Sequence, residues 1–411
     1  MAVEKNRKKI VTTGGHRRHA LPSHPAPLAR LPRPVAGAAS RWYKDDVTFV
    51  PGLELSRGFF ADCVEPLLET GFPGLRYSAA LIGHGSEVLG FDTAMSTDHH
   101  WGPRAMLFLG ADDLERHGRA IGAHLGRTLP SSYRGWSTHF GPPDPDDHGT
   151  QLLRPHEDGP VNHRVELFTV EGWFRSYLGL DVNAPMDAAA WLSIPSQKLR
   201  SIVSGAVFRD DLCLQSIRER LSWYPRDVEL YILGCLWTRI GQEEHLMGRA
   251  GHAGDELGSA IIGSRLARDV MRIAFCLERQ YPPYPKWFGT AFDRLASAPT
   301  LAPLLRRAVA SGTWKEREEA LASAFEFLVA MQRKAGITDG LSGRTERFWG
   351  RPFLVIRGDR VAAAVFDLIA DEKLRATARA RPIGSIDLAS DNTDVLEDPS
   401  LQSAFQAISL I

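Results

Sequence analysis

Leu81-Ile82-Gly83-His84-Gly85-Ser86-Glu87-Val88-Leu89-Gly90-Phe91-Asp92-Thr93-Ala94-Met95-Ser96-Thr97-Asp98-His99-His100-Trp101 is the stretch on which the reading of this chain turns. It leaves an apolar run, Ala79 to Ile82, through a Gly-Ser turn, crosses a polar loop, and reaches an acidic residue that opens the next strand. Gly85 lets backbone N–H groups approach a phosphate closely, and Ser86 adds a hydroxyl donor. If the stretch is extended, Asp98 and His100 share a face, because side chains alternate along a strand. Two ligands on one face can hold a divalent ion over a triphosphate. A third ligand has to come from a neighbouring strand. Glu166, between Val165 and Leu167, has that character, and Glu171 is the competing choice. The plainer readings are a strand-to-loop turn for Gly85-Ser86 and a cap or turn residue for Asp98.

Working outward, Leu55 to Thr70 reads as a helix, with Phe59, Cys63 and Leu67 at helical spacing. A strand is expected at Tyr77 to Gly83 and another at Arg104 to Leu109. A helix follows to about Leu129, with Asp112 as its N-cap. Gly141 to Pro160 is dense in Pro, Asp and Gly and reads as a loop. Val161 to Phe174 reads as a further strand. From about Ser196 the pattern turns helical, with long candidates at Asp227 to Met247 and Asp255 to Gln280. In the second, Leu257, Ile261, Leu266, Val270, Ile273 and Leu277 fall near one face. Tyr281-Pro282-Pro283-Tyr284-Pro285 breaks the run. Further helices are expected at Lys286 to Ala296 and Trp314 to Ala335, then a strand at Pro352 to Ile356 and a helix at Val361 to Ala370. The expected organisation is a tail over 1–40, an α/β module over 41–195, an all-α helical bundle over 196–345, and an appendage over 346–411 that packs on the bundle.

The 411 residues are 44% hydrophobic with zero formal net charge, enough apolar material for two or three domains. Neutrality argues against a long nucleic acid as partner, although a local basic groove stays open. Cys63, Cys213, Cys235 and Cys276 are far apart and form no CxxC pair, which fits a reducing, cytoplasmic setting. No apolar run reaches the ~20 residues that span a bilayer, so no membrane is expected. The first forty residues, rich in Lys, Arg, His and Pro, hold too little apolar surface to offset ordering entropy and read as a disordered tail.

Gly85-Ser86-Glu87-Val88-Leu89-Gly90-Phe91-Asp92, followed by Ser96-Thr97-Asp98-His99-His100-Trp101-Gly102-Pro103-Arg104, resembles the bacterial domain of unknown function numbered 4037. More broadly it resembles the polymerase-beta-like nucleotidyltransferases: a Gly-Ser turn, a spacer, two acids one residue apart, and a distant third acid. The resemblance continues through Gln242-Glu243-Glu244, Gly254 to Ser259, Tyr284 to Gly289 and Gly384-Ser385-Ile386-Asp387. It implies an α/β nucleotidyltransferase-like domain with a mixed sheet followed by a helical domain. It also implies Mg2+ or Mn2+ held by Asp98, His100 and Glu166. Glu243, in the helical module, is the carboxylate placed to act as general base. Arg265, Arg268 and Arg272 share one helix face and, with Lys286, are the candidate phosphate grips.

One residue departs from the pattern. His100 stands where a second acid is expected, and Mg2+ prefers oxygen ligands while imidazole suits Mn2+ or Zn2+. Three functions follow. The leading one transfers a nucleoside monophosphate from an NTP to a small-molecule or protein acceptor, releasing pyrophosphate. The second is a catalytically weakened nucleotide-binding regulatory or interaction protein. The third is a metal-dependent phosphohydrolase using Asp98, His99 and His100.

Overall fold

A computed structural model describes residues 48–409, and the expected tail over residues 1–40 lies outside them. At its centre is a four-stranded mixed sheet, β1 (Tyr77–Leu81), β2 (Arg104–Leu109), β3 (Arg164–Phe168) and β4 (Ala206–Asp210), in the order β3-β2-β1-β4. β1 runs antiparallel to β2 and β4, while β2 and β3 are parallel. β1 and β2 are buried at every position, which is why both read as unbroken apolar runs. Alternation still sorts their side chains. Ala105, Leu107 and Leu109 join one core with Phe59, Ile121 and Val165, whereas Met106 and Phe108 face the opposite core with Trp173 and Phe174.

The first core is covered by the helical run 52–71 and by α1 (Ala111–Thr128). The run 52–71 holds a π-helical segment, Phe60–Val64, between two α-helical pieces. The N-cap of α1 is Gly110, without a side-chain cap, so Asp112 is not the cap. Asp112 and Asp113 instead lie in the first turn, where a negative charge suits the helix dipole.

Val161 to Phe174 is not one strand. β3 ends at Phe168, and α2 (Val170–Leu178) begins after Thr169, whose side chain accepts from Gly172 N. The apolar residues run through the junction, so only the cap marks it. β4 is a second correction. It lies past residue 195, the expected end of the α/β module, yet it is the edge strand beside β1. The sheet therefore takes a strand from the region expected to be wholly helical.

The helical part is built on α3 (Arg226–His252), α4 (Glu256–Leu277) and α5 (Trp314–Lys334), packed on one another. Asp255 caps α4 by accepting from Gly258 N at 2.7 Å. Its buried stripe takes in the expected Leu266, Val270 and Ile273, but Leu257 and Ile261 are 74% and 56% exposed. Ser259 and Gly263 face inward instead, because small residues there admit Arg317 of α5. Arg317 donates to Ser259 Oγ at 2.7 Å, and a Cβ on Gly263 would stand 2.4 Å from its stem.

The C-terminal part holds a short hairpin, Glu346–Arg347 with Leu354–Val355, and a helix Gly358–Phe366 on α3. Gly241 permits that approach, since a Cβ there would lie 2.6 Å from Asp359 N. The helix Pro399–Ser409 packs instead on Ala188–Ser193 and α2, beside the sheet rather than the bundle. The described residues cluster as one compact unit. None of the described helices is long and apolar enough to cross a membrane.

Candidate functional site

A cavity of about 890 Å3 opens on the face of β2 and β3 that carries Arg104, Met106, Arg164, Glu166 and Phe168. These are alternate residues of two strands in parallel register, Arg104 opposite Arg164 and Met106 opposite Glu166. The turn after β1 forms the rim, with Gly83, His84, Gly85 and Ser86 all lining the cavity. Gly85 has φ +131°, and a Cβ there would sit 2.6 Å from Glu87 Oε2 and 2.7 Å from Arg104 Nη2. The turn is tied to β2 by Arg104. It donates from Nε to Glu87 Oε1 at 3.0 Å and from Nη2 to the His84 carbonyl at 2.8 Å. Arg104 and Glu87 are both nearly fully buried, 7% and 3% exposed.

Asp98, His99 and His100 lie in a turn rather than an extended segment, and His100 has φ +52°. The premise that Asp98 and His100 share a strand face is therefore wrong, although both line the cavity. Asp98 Oδ1 is 3.2 Å from His99 Nδ1, and His99 Nε2 is 3.6 Å from Asp147. His100 exchanges backbone contacts with Gln151: its N–H donates to Gln151 O at 3.1 Å, and its Nδ1 accepts from Gln151 N at 3.2 Å. The Arg164 guanidinium also meets Nδ1. With two donors aimed at Nδ1, the proton of the neutral ring belongs on Nε2. Burial, with Arg164 beside the ring, pushes the His100 pKa down to about 4.

Two of the three expected metal ligands, His100 and Glu166, are already engaged by donors. Nδ1 of His100 is taken by donors and Nε2 carries the proton, so neither nitrogen offers a lone pair. Glu166 Oε1 accepts from Arg164 Nη2 at 3.1 Å. No three His, Cys, Asp or Glu side chains among the described residues gather as a metal-holding group.

The opposite wall is aromatic. Trp173 and Tyr177 of α2 stack at 4.8 Å and 14°, and His84 meets Tyr177 edge-on at 5.0 Å. Burial holds the His84 pKa below its ordinary value. Tyr284 and Lys286 close the cavity from the helical side, with Lys286 Nζ 5.0 Å from the Trp287 ring.

Gly85, Ser86, Asp98, His100, Glu166 and Lys286 thus share one cavity. Glu243, Arg265, Arg268 and Arg272 do not join it. Glu243 pairs with Arg265 at 2.6 Å, Arg268 pairs with Asp391 at 3.1 Å, and Arg272 donates to Asp387 O at 2.9 Å. Their helix face looks toward segment 387–391, and Arg265 and Arg268 line a separate cavity of about 260 Å3 there. Glu244 is buried and accepts from the N–H groups of Ile356 and Gly358, holding the C-terminal part on α3. Glu171, the alternative to Glu166, is exposed on the first turn of α2. Sequence reasoning passed over His84, Arg104, Arg164, Trp173 and Tyr177. The two arginines had a signal: each lies an even number of residues from a strand neighbour that faces the cavity, Arg164 from Glu166 and Arg104 from Met106.

No curated protein matches the chain. One family model does, over a stretch that takes in β4, α3, α4, Tyr284 and Lys286 and leaves β1 to β3 outside. Residues 191–288 match the family described as Domain of unknown function (DUF4037), and through that segment the chain is similar to that family.

Proposed function

We propose that the cavity over β2 and β3 binds a nucleoside triphosphate, and that the chain is a nucleotide-binding protein of nucleotidyltransferase descent. One observation carries the reading. The Gly83–Ser86 turn, Arg164, Lys286, the carboxylates Asp98 and Glu166, and an aromatic wall meet in a single cavity. Guanidinium and ammonium groups hold phosphate oxygens by charge-assisted hydrogen bonds. Trp173, Tyr177 or Tyr284 offers a ring for the base. A volume of this order accommodates a nucleotide.

Transfer of the nucleoside monophosphate to a small-molecule or protein acceptor, with release of pyrophosphate, is the enzymatic form of the same reading. Asp98 favours it, because a half-exposed carboxylate in the cavity can take the proton of an acceptor hydroxyl during in-line attack. The contact of Arg164 with His100 favours the binding-only form, because it occupies one of the three expected ligands of Mg2+ or Mn2+. The test is NTP consumption with Mg2+ and with Mn2+, for wild type and Asp98→Ala. Turnover that Asp98→Ala abolishes supports the enzyme. Saturable binding without turnover in either metal supports the binding form. Neither binding nor turnover sinks both.

A further inference from the structure

We propose that Arg164 is the built-in cation of this cleft, and that the triphosphate binds against its guanidinium without a divalent ion. The proposal rests on the nucleotide reading above and deepens it.

Arg164 opens β3 and sends its guanidinium along the cavity floor. Nη2 donates to Glu166 Oε1 at 3.1 Å. Nη1 meets His100 Nδ1 and reaches Gln151 Oε1 at 3.4 Å. The planar group is thereby fixed between the imidazole and the carboxylate. An ion held by His100 Nδ1 and Glu166 Oε1 would have to displace the guanidinium. The guanidinium keeps its proton throughout the working pH range, so its charge cannot be removed to make room. A divalent ion in contact with it meets like-charge repulsion in a partly desolvated site.

The surroundings fit a permanent cation better than a metal cage. His100 turns an acceptor nitrogen toward Arg164, which suits a donor and leaves no lone pair for a metal. The Arg164 side chain is only 14% exposed, so it is held rather than waving in solvent. Arg104, its neighbour on β2, is committed to Glu87 and His84 and does not compete for ligand. Arg164 and Lys286 line the same cavity as the Gly83–Ser86 turn. Nε of Arg164 has no partner among the described residues, so it and the N–H left on Nη2 are the donors that a phosphate can take.

The experiment is calorimetric titration of the full chain with ATP, GTP, CTP and UTP in turn, in EDTA and in Mg2+. The NTP that binds is expected to show affinities within about threefold of each other in the two buffers. Arg164→Gln is expected to weaken it about tenfold or more, and Arg164→Lys to recover part of the loss. The wild-type comparison needs no variant, so it stands even if Arg164→Gln folds poorly, which a melting curve reveals. Binding that requires Mg2+, or indifference to Arg164→Gln in a folded protein, overturns the inference and leaves the nucleotide reading intact. No binding of any of the four in either buffer overturns the nucleotide reading itself.

Discussion

Arg104 and Arg164 stand opposite each other on the parallel strands β2 and β3, and their guanidinia serve different partners. Arg104 turns to Glu87 and the His84 carbonyl and secures the turn after β1. Arg164 turns to Glu166 and His100 and charges the cavity floor. Strand register thus sets a cation committed to the turn beside one that lines the cavity.

The buried Arg104–Glu87 pair should behave as a unit. Arg104→Met alone leaves Glu87 as an uncompensated buried charge and is expected to cost about 3–5 kcal/mol. Arg104→Met with Glu87→Leu is expected to recover much of that loss. Urea unfolding of the three proteins measures it, and equal losses in the single and double variants would show that the pair is not coupled.

Gly85→Ala places a methyl at φ +131° and within 2.7 Å of both Glu87 and Arg104. Strain of this kind costs about 1–3 kcal/mol. The turn should also shift away from the cavity, so NTP affinity falls together with stability. Thermal melting and calorimetry check the two effects, and unchanged values in both would contradict the geometry given for the turn.

Stability should fall with rising pH over one window because of Glu244. Burial raises its pKa from the usual 4.5 to about 7, against the opposing effect of the Gly358 and Ile356 N–H groups. The native state therefore holds a proton that the unfolded chain releases between those values. That contribution is full below about pH 4.5 and is lost as pH rises through about 7, worth at most about 3 kcal/mol. Glu244→Gln should flatten part of the slope. Glu318, raised to about 7 by burial, adds to the same slope, while His100, pushed down to about 4, opposes it. Stability curves across that range decide it, and an unchanged slope in Glu244→Gln would refute the assignment.

Much of the central sheet was legible because burial on both faces makes apolar runs, as in Ala79 to Ile82 and Met106 to Leu109. The cavity residues nearest the Gly-Ser turn were legible for a chemical reason, since few patterns place Gly, Ser and Asp so. β4 was not, because Ala-Val-Phe-Arg-Asp is short and its pairing with β1 joins residues more than a hundred positions apart. The left-handed turn at His100 was invisible, since it depends on the backbone exchange with Gln151. Arg265, Arg268 and Arg272 do share one side of α4 as their spacing demands. What spacing cannot say is which neighbour that side meets, and here it meets segment 387–391.

The most direct measurement is hydrogen–deuterium exchange of the full chain with and without saturating NTP. Slowed exchange is expected at Gly83 to Ser86, at Asp98 to Arg104 and at the start of β3 around Arg164, with α4 around Arg265 to Arg272 unchanged. Protection centred on α4 and segment 387–391, with the Gly83–Ser86 turn unaffected, would contradict the account.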